Sequence, residues 1–133
     1  MTEPTAGLLD TSVVVDHDLV DVSLLPDSTA IAAITLAELA AGPHATNDRA
    51  ERARRQDRLQ WASSTWEPLP FDAECARAYG RLYAAMRVRA RSPRARVADL
   101  LIAATAVAYG LPVYTRNPGD LQALGALVQV VAV

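Results

Sequence analysis

The sequence predicts an α/β fold organised on a parallel sheet, and three of its features say so. Short apolar runs at residues 7–9, 113–115 and 128–133 have the length of strands. Between them lie longer segments with apolar residues at helical spacing. Caps and breakers stand where those segments begin and end. Strands that alternate with helices imply a parallel sheet. One such sheet suits 133 residues of which 51% are apolar, so a single domain over residues 1–133 is expected.

The elements follow in order. Residues 7–9 make a short buried strand, and Thr11 or Ser12 can cap the turn after it. Residues 30–34 are a second apolar run, preceded by the turn residues Pro26-Asp27-Ser28. Thr35-Leu36-Ala37-Glu38 opens a short helix that Gly42-Pro43 stops. Residues 47–63 are polar and rich in Arg, which predicts a long exposed helix. Asp72 caps the next helix, whose core stripe is Cys75, Tyr79, Leu82, Tyr83 and Met86. Ser92-Pro93 pairs a cap with Pro at the first helical position, so a helix is expected over 93–109, ended by Gly110. A strand at Val113–Thr115, a short helix over 118–124 and a strand over 128–133 complete the chain.

Composition removes several classes of function. The lone Cys75 rules out an intramolecular disulfide and fits a reducing compartment. The first basic residue is Arg49, so the basic start of a secretory signal is missing. The longest apolar stretch, 100–114, is interrupted by Gly110 and Pro112 and is shorter than the roughly 20 residues of a membrane span. A cytoplasmic protein without membrane attachment is expected. There is no Lys, which excludes chemistry that needs one. The net charge of −2 hides a division: residues 1–47 hold seven acids and no Lys or Arg, whereas residues 48–133 hold thirteen Arg against eight acids.

Four stretches carry acids or amides where a plain fold has little use for them. They are Leu8-Leu9-Asp10-Thr11-Ser12, Ile34-Thr35-Leu36-Ala37-Glu38-Leu39, Ala98-Asp99-Leu100-Leu101-Ile102-Ala103-Ala104 and Tyr114-Thr115-Arg116-Asn117-Pro118-Gly119-Asp120. Lone buried carboxylates are rare, because desolvating the charge is costly. Several directed into one pocket are tolerated around a divalent cation, and an all-oxygen set suits Mg²⁺ or Mn²⁺. Ligands of parallel sheets collect beyond the carboxyl ends of the strands. Asp10 and Asn117 fall at such ends, and Glu38 lies just beyond one.

Each residue also has a structural reading. Asp10 could cap the following turn. Thr35-x-x-Glu38 matches a capping box, in which Glu38 bonds back to the Thr35 amide. Asn117-Pro118 could be a cap with a first-turn Pro, and the helix dipole would favour Asp120. Asp99 shares a helical face with Ile102, Ala103 and Ala106, where a purely structural acid is not expected from the sequence. His17 and His44 lack ligand spacing and read as ordinary surface or turn residues. Cys75 reads as core packing.

The arginines form two groups. Arg49, Arg52, Arg54, Arg55 and Arg58 alternate with Asp48, Glu51 and Asp57, as on a self-paired solvated face. That helix is the candidate surface for a protein partner. Arg87, Arg89, Arg91, Arg94 and Arg96 include no acid among them and run directly into the Asp99 segment. A cationic flank beside an acidic pocket suits a phosphodiester substrate, so these five and Arg116 are candidate nucleic-acid contacts.

In this order and at these intervals, the four motifs resemble those of PIN-domain ribonucleases, and more narrowly the VapC toxins of VapBC toxin–antitoxin pairs. The resemblance covers about residues 7–133. It implies a three-layer α/β/α fold with a central, mostly parallel sheet. It also implies toxic, Mg²⁺- or Mn²⁺-dependent endoribonuclease activity, neutralised by a cognate VapB-type antitoxin, and association as a homodimer. Its site residues fall on Asp10, Glu38 and Asp99, with Asn117 at a variable fourth position where the family often has Asp. Asp10 and Asp99 are then the principal metal ligands, and Glu38 completes the coordination or orients the water. Asp120 partly compensates for the missing charge at Asn117. Thr11, Ser12 and Thr115 match polar positions around the site.

Competing readings fail on named residues. A phosphoacceptor receiver domain needs a pocket lysine. A phosphatase with an Asp-x-Asp pair would need Asp where Ser12 stands. The remaining alternative is a PIN-like RNA- or protein-binding module without cleavage, with Asn117 as its mark of decay.

Overall fold

The computed structural model describes residues 5–88 and 96–133, with the Asp120 side chain outside that description. Four strands pair in the order β2-β1-β3-β4, and every pairing is parallel. They are β1 (Ala6–Leu9), β2 (Ser28–Ala30), β3 (Val113–Thr115) and β4 (Val130–Ala132). The helices are α1 (Thr11–Val15), α2 (Ala33–Ala41), α3 (Arg49–Thr65), α4 (Ala73–Val88) and α5 (Val97–Tyr109).

Side-chain alternation along the strands builds two cores, one on each face. Leu8 and Val113 face a cluster with Leu82 and Met86 of α4 and Leu100, Ile102 and Ala103 of α5. Their neighbours Leu9 and Tyr114 face the opposite cluster, with Val13 and Val14 of α1, Leu39 of α2 and Ala62 of α3. The sheet is therefore the middle of three layers, α/β/α. Strand register depends on close packing at Gly7, where a Cβ would run into the Tyr114 ring. Gly110 ends α5 in the left-handed region at φ 68° and returns the chain to β3.

Several expected boundaries move. The apolar run 30–34 divides, because Ser28–Ala30 pairs with β1 while Ile34 already belongs to α2. Its last extended contact is a single bridge between Ala32 and Leu69. The expected helix over 118–124 is two short 3₁₀ turns, Pro118–Asp120 and Gln122–Leu124, too short for a continuous α ladder. The Ser92-Pro93 cap lies outside the described residues, and the described part of α5 starts at Val97. Asp72 does cap α4, its Oδ1 accepting from the Cys75 N–H at 3.1 Å. Cys75, Leu82 and Met86 are buried, while Tyr79 and Tyr83 are half-buried.

The arginines of α3 do more than pair among themselves. Glu51 takes Arg54 at 2.7 Å and Arg55 at 2.8 Å. Arg55 also donates to the Gly42 carbonyl, and Arg52 to those of Pro43 and Thr46. These carbonyls belong to the end of α2 and the 3₁₀ turn that follows, where cations are favoured.

Candidate functional site

The topology makes one crevice. From β1 the chain runs to β2 on one side, and β3 lies on the other, so the strand order reverses between β1 and β3. Ligand sites of parallel sheets open beyond the carboxyl ends of strands at such a point. Leu9 pairs with Tyr114 in the ladder, so Asp10, just past β1, stands beside Thr115, the last residue of β3. The Asp10 N–H donates to the Tyr114 carbonyl at 3.0 Å.

Asp10 is held by one of its two oxygens. It is 8% exposed and is the N-cap of α1. Its Oδ1 accepts from the backbone N–H of Ser12 at 3.0 Å and of Val13 at 3.4 Å, and from Ser12 Oγ at 2.5 Å. Among the described residues no hydrogen bond falls on Oδ2. The capping role and the ligand role are thus compatible, since each uses a different oxygen. Ser12 Oγ in turn accepts from the Arg116 N–H at 3.0 Å and lies 3.5 Å from Thr115 Oγ1. A single hydroxyl therefore links the loops after β1 and β3.

Glu38 does not form the capping box. Ala32 is the N-cap of α2 and Thr35 lies inside the helix, where its own N–H donates to the Ala32 carbonyl. The Glu38 carboxylate instead accepts from Thr11 Oγ1 at 2.5 Å. Thr11 Oγ1 is also 3.0 Å from the hydroxyl of Thr35, which is fully buried. Glu38 itself is exposed, and it lines a small cleft together with Thr11.

Asp99 sits in the first turn of the described part of α5, not deep within the helix. An acid there is favoured by the helix dipole, a structural benefit the longer expected helix would not provide. Topology decides only which end of the sheet this turn stands at. The short return through Gly110 puts the C-terminal end of α5 at the start of β3, so its N-terminal turn lies toward the carboxyl ends of the strands.

The fourth motif is mixed. Asn117 is exposed and precedes the first 3₁₀ turn without a side-chain cap bond, while its N–H donates to Thr115 Oγ1 at 3.0 Å. The Asp120 side chain lies outside the described residues. Arg116 is half-buried, and its Nε stands 3.6 Å from Asp16 Oδ2. Among the other candidate RNA contacts, Arg87 is exposed and Arg96 half-buried, while Arg89, Arg91 and Arg94 lie outside the described residues.

The donor chemistry, carboxylates and hydroxyls only, fits a hard divalent cation. Among the described residues no three acidic, His or Cys side chains are grouped closely enough to enclose an ion. Mg²⁺ does not require such a cage, because it commonly uses one or two carboxylates and keeps several waters. Sequence reasoning missed two features of the site: the Asp16–Arg116 pair and the bridging role of Ser12. Both join residues from opposite ends of the chain, so no local spacing signals them.

Comparison with known proteins points to one group. Residues 7–125 match the family model described as PIN domain, a span that includes all four motifs. The chain is 38% identical over 132 residues to Ribonuclease VapC5 of Mycobacterium tuberculosis, covering 97% of this chain and 95% of that one. It is 34% identical over 105 residues to Ribonuclease VapC8 of the same species, covering 78% and 93%. Among solved structures, it resembles a chain of a member of the VapBC family of toxin–antitoxin systems, VapBC-5 from Mycobacterium tuberculosis. That match has a TM-score of 0.87 and 37% identity, and covers 98% of this chain and 100% of the other.

Proposed function

The chain belongs to the PIN-domain family, and we propose from that membership that it is the toxic endoribonuclease of a VapBC-type toxin–antitoxin pair. It hydrolyses RNA phosphodiester bonds and is neutralised by a cognate VapB-type antitoxin. The observation that carries this reading is the Asp10 carboxylate at the β1/β3 crevice. Three donors hold one of its oxygens, and the other has no hydrogen bond among the described residues. A binding module without cleavage would use Asp10 only as the cap of α1 and would have no use for the other oxygen.

Dependence on Mg²⁺ or Mn²⁺ is the finer part of the proposal, and the all-oxygen donor set supports it. Asp10, Glu38 and Asp99 would hold the ion, with Asn117 or Asp120 at the fourth position. Such a cation supplies Lewis-acid stabilisation of phosphoryl oxygens and lowers the pKa of water. The chain's own residues do the rest. Ser12 and the α1 amides fix the direction of Asp10. Thr11 donates to Glu38 and fixes the direction of that carboxylate. Arg116 places a guanidinium beside the crevice, where it can hold a phosphate of the scissile strand.

No helix in the described residues is long and apolar enough to cross a membrane. The deciding experiment incubates purified protein with RNA, with and without Mn²⁺, and sequences the new RNA ends. Defined ends that need the ion and vanish when the antitoxin is added support the proposal. RNA left intact under every condition overturns it.

A further inference from the structure

Beside the acidic crevice runs a space that the acidic residues do not use. A cleft of about 250 Å³ is lined by Thr11 and Glu38 and also by Val15 and Arg58. Val15 and Arg58 line a second cleft too, of about 550 Å³, whose walls include His17 and Trp61. The two are therefore neighbours, and Arg58 borders both the cleft at Glu38 and the cleft at Trp61. The larger has the volume of a small-ligand site.

Its aromatic wall is braced. Trp61 stands 4.7 Å from His17 and 5.1 Å from Trp66, ring centre to ring centre. Trp66 is anchored in turn, its Nε1 donating to Thr29 Oγ1 at 3.0 Å. Arg58 is half-buried and has no hydrogen bond or ion pair among the described residues. Arg54 and Arg55 differ in this respect, because Glu51 engages both. Asp18 and Asp57 also line the larger cleft and can only accept hydrogen bonds when ionised.

Single-stranded RNA is recognised by stacking an unpaired base on aromatic rings, with cations on the backbone and polar groups at the base edge. We propose that this cleft is a subsite for one unpaired nucleobase of the substrate. The base stacks against the Trp61–His17 pair, Asp18 and Asp57 accept from its N–H groups, and Arg58 holds the phosphate leading back to the crevice. The subsite rests on the ribonuclease reading above. A segment of a protein partner is the competing occupant. An unengaged guanidinium between the aromatic wall and the phosphodiester crevice favours the nucleotide.

The test uses Asp10→Asn protein, so that RNA survives, and a dye-labelled single-stranded RNA octamer of mixed sequence. Eight further octamers each carry one abasic unit. One abasic position should weaken binding roughly 5- to 150-fold, the range for loss of a stacked base. Trp61→Ala should weaken the intact octamer by a similar factor and cancel that abasic penalty, as a coupled pair requires. Trp61→Phe, which keeps an aromatic ring in the wall, should fall between. Arg58→Gln should lower the salt dependence by about 0.7 in log–log slope. An unchanged abasic penalty in the Trp61 variants overturns the subsite. So does loss of antitoxin binding in those variants while octamer binding is unaltered, which would give the cleft to the protein partner. Octamer binding and RNA cleavage by the parent, with no effect of Trp61 or Arg58, overturn the subsite alone. A parent that neither binds nor cleaves RNA overturns the ribonuclease reading and the subsite with it.

Discussion

Thr11 Oγ1 donates to Glu38 Oε1 at 2.5 Å across 27 positions of sequence, joining the first residue of α1 to the middle of α2. Thr11 is also in contact with the buried hydroxyl of Thr35, so it is held from the core side. A hydroxyl has one proton, and an ionised carboxylate can only accept, so the proton lies toward Glu38. The contact sets the direction of an otherwise exposed carboxylate. The Thr35-x-x-Glu38 spacing is not a capping box, because Thr35 lies inside α2 with its N–H donated to the Ala32 carbonyl.

Thr11→Val keeps the shape and removes the hydroxyl. RNA cleavage should fall by about 10- to 100-fold, the usual effect of losing a group that orients a metal ligand. Thr11→Ser should retain most of the activity. Equal rates for Thr11→Val and the parent would mean that Glu38 needs no orientation.

Asp10→Asn and Asp99→Asn should reduce cleavage and growth inhibition to background while the protein stays folded. Asn still caps α1, so the Asp10→Asn melting temperature should hold, and Asp99→Asn should lose only the modest dipole benefit of its first-turn charge. Full ribonuclease activity in purified Asp99→Asn protein would sink the metal mechanism.

Asn117→Asp adds a ligand charge and should tighten Mn²⁺ binding in a calorimetric titration. Asn117→Ala should weaken it. Loss of binding in Asp120→Ala with no change in Asn117→Ala would move the fourth position three residues along the chain.

Arg87 and Arg96 flank the segment that leads to Asp99. Neutralising both in Asp10→Asn protein should weaken RNA binding regardless of sequence. The log–log salt slope should flatten by roughly 0.7 per lost contact. Neutralising Arg54 and Arg55 should change it less, because Glu51 already engages them. Unchanged slopes for Arg87 and Arg96 would leave them as a solvated face.

The Arg55 guanidinium, and then that of Arg54, hold the Glu51 carboxyl below its ordinary pKa. A depressed folded-state pKa stabilises the fold fully above the unfolded-state value, and the benefit is lost as pH falls through the folded value. Glu51→Gln should therefore lower the melting temperature near pH 7, and the gap from the parent should close in the acid range below about pH 4. A gap that stays constant down to pH 3 would assign the effect to packing.

Much of the architecture was legible because its causes are local. Leu8-Leu9 and Val113-Tyr114 are apolar on consecutive positions, as strands covered on both faces must be. Asp72 before α4 and Gly110 after α5 act within one turn of chain, and both do what their residue types require. The failures are local conflicts that packing resolved. Ile34 fits a strand by composition but lies in α2, and residues 118–124 fit a helix but make two 3₁₀ turns.

The sequence by itself determined most of the strands and long helices, that they make a parallel α/β sheet, and that Asp10 and Asn117 stand just beyond strand ends. Hydrophobic periodicity, caps and breakers are properties of neighbouring residues, so they can be read in order along the chain. Only the tertiary structure decided the order β2-β1-β3-β4, the reversal that opens a crevice between β1 and β3, and the partner each polar group takes. Ser12 meets Arg116 across 104 positions, and Thr11 meets Glu38 across 27. Such contacts depend on strand register and on the side-chain directions that two packed cores impose. No local pattern encodes them, because the residues become neighbours only when the sheet forms.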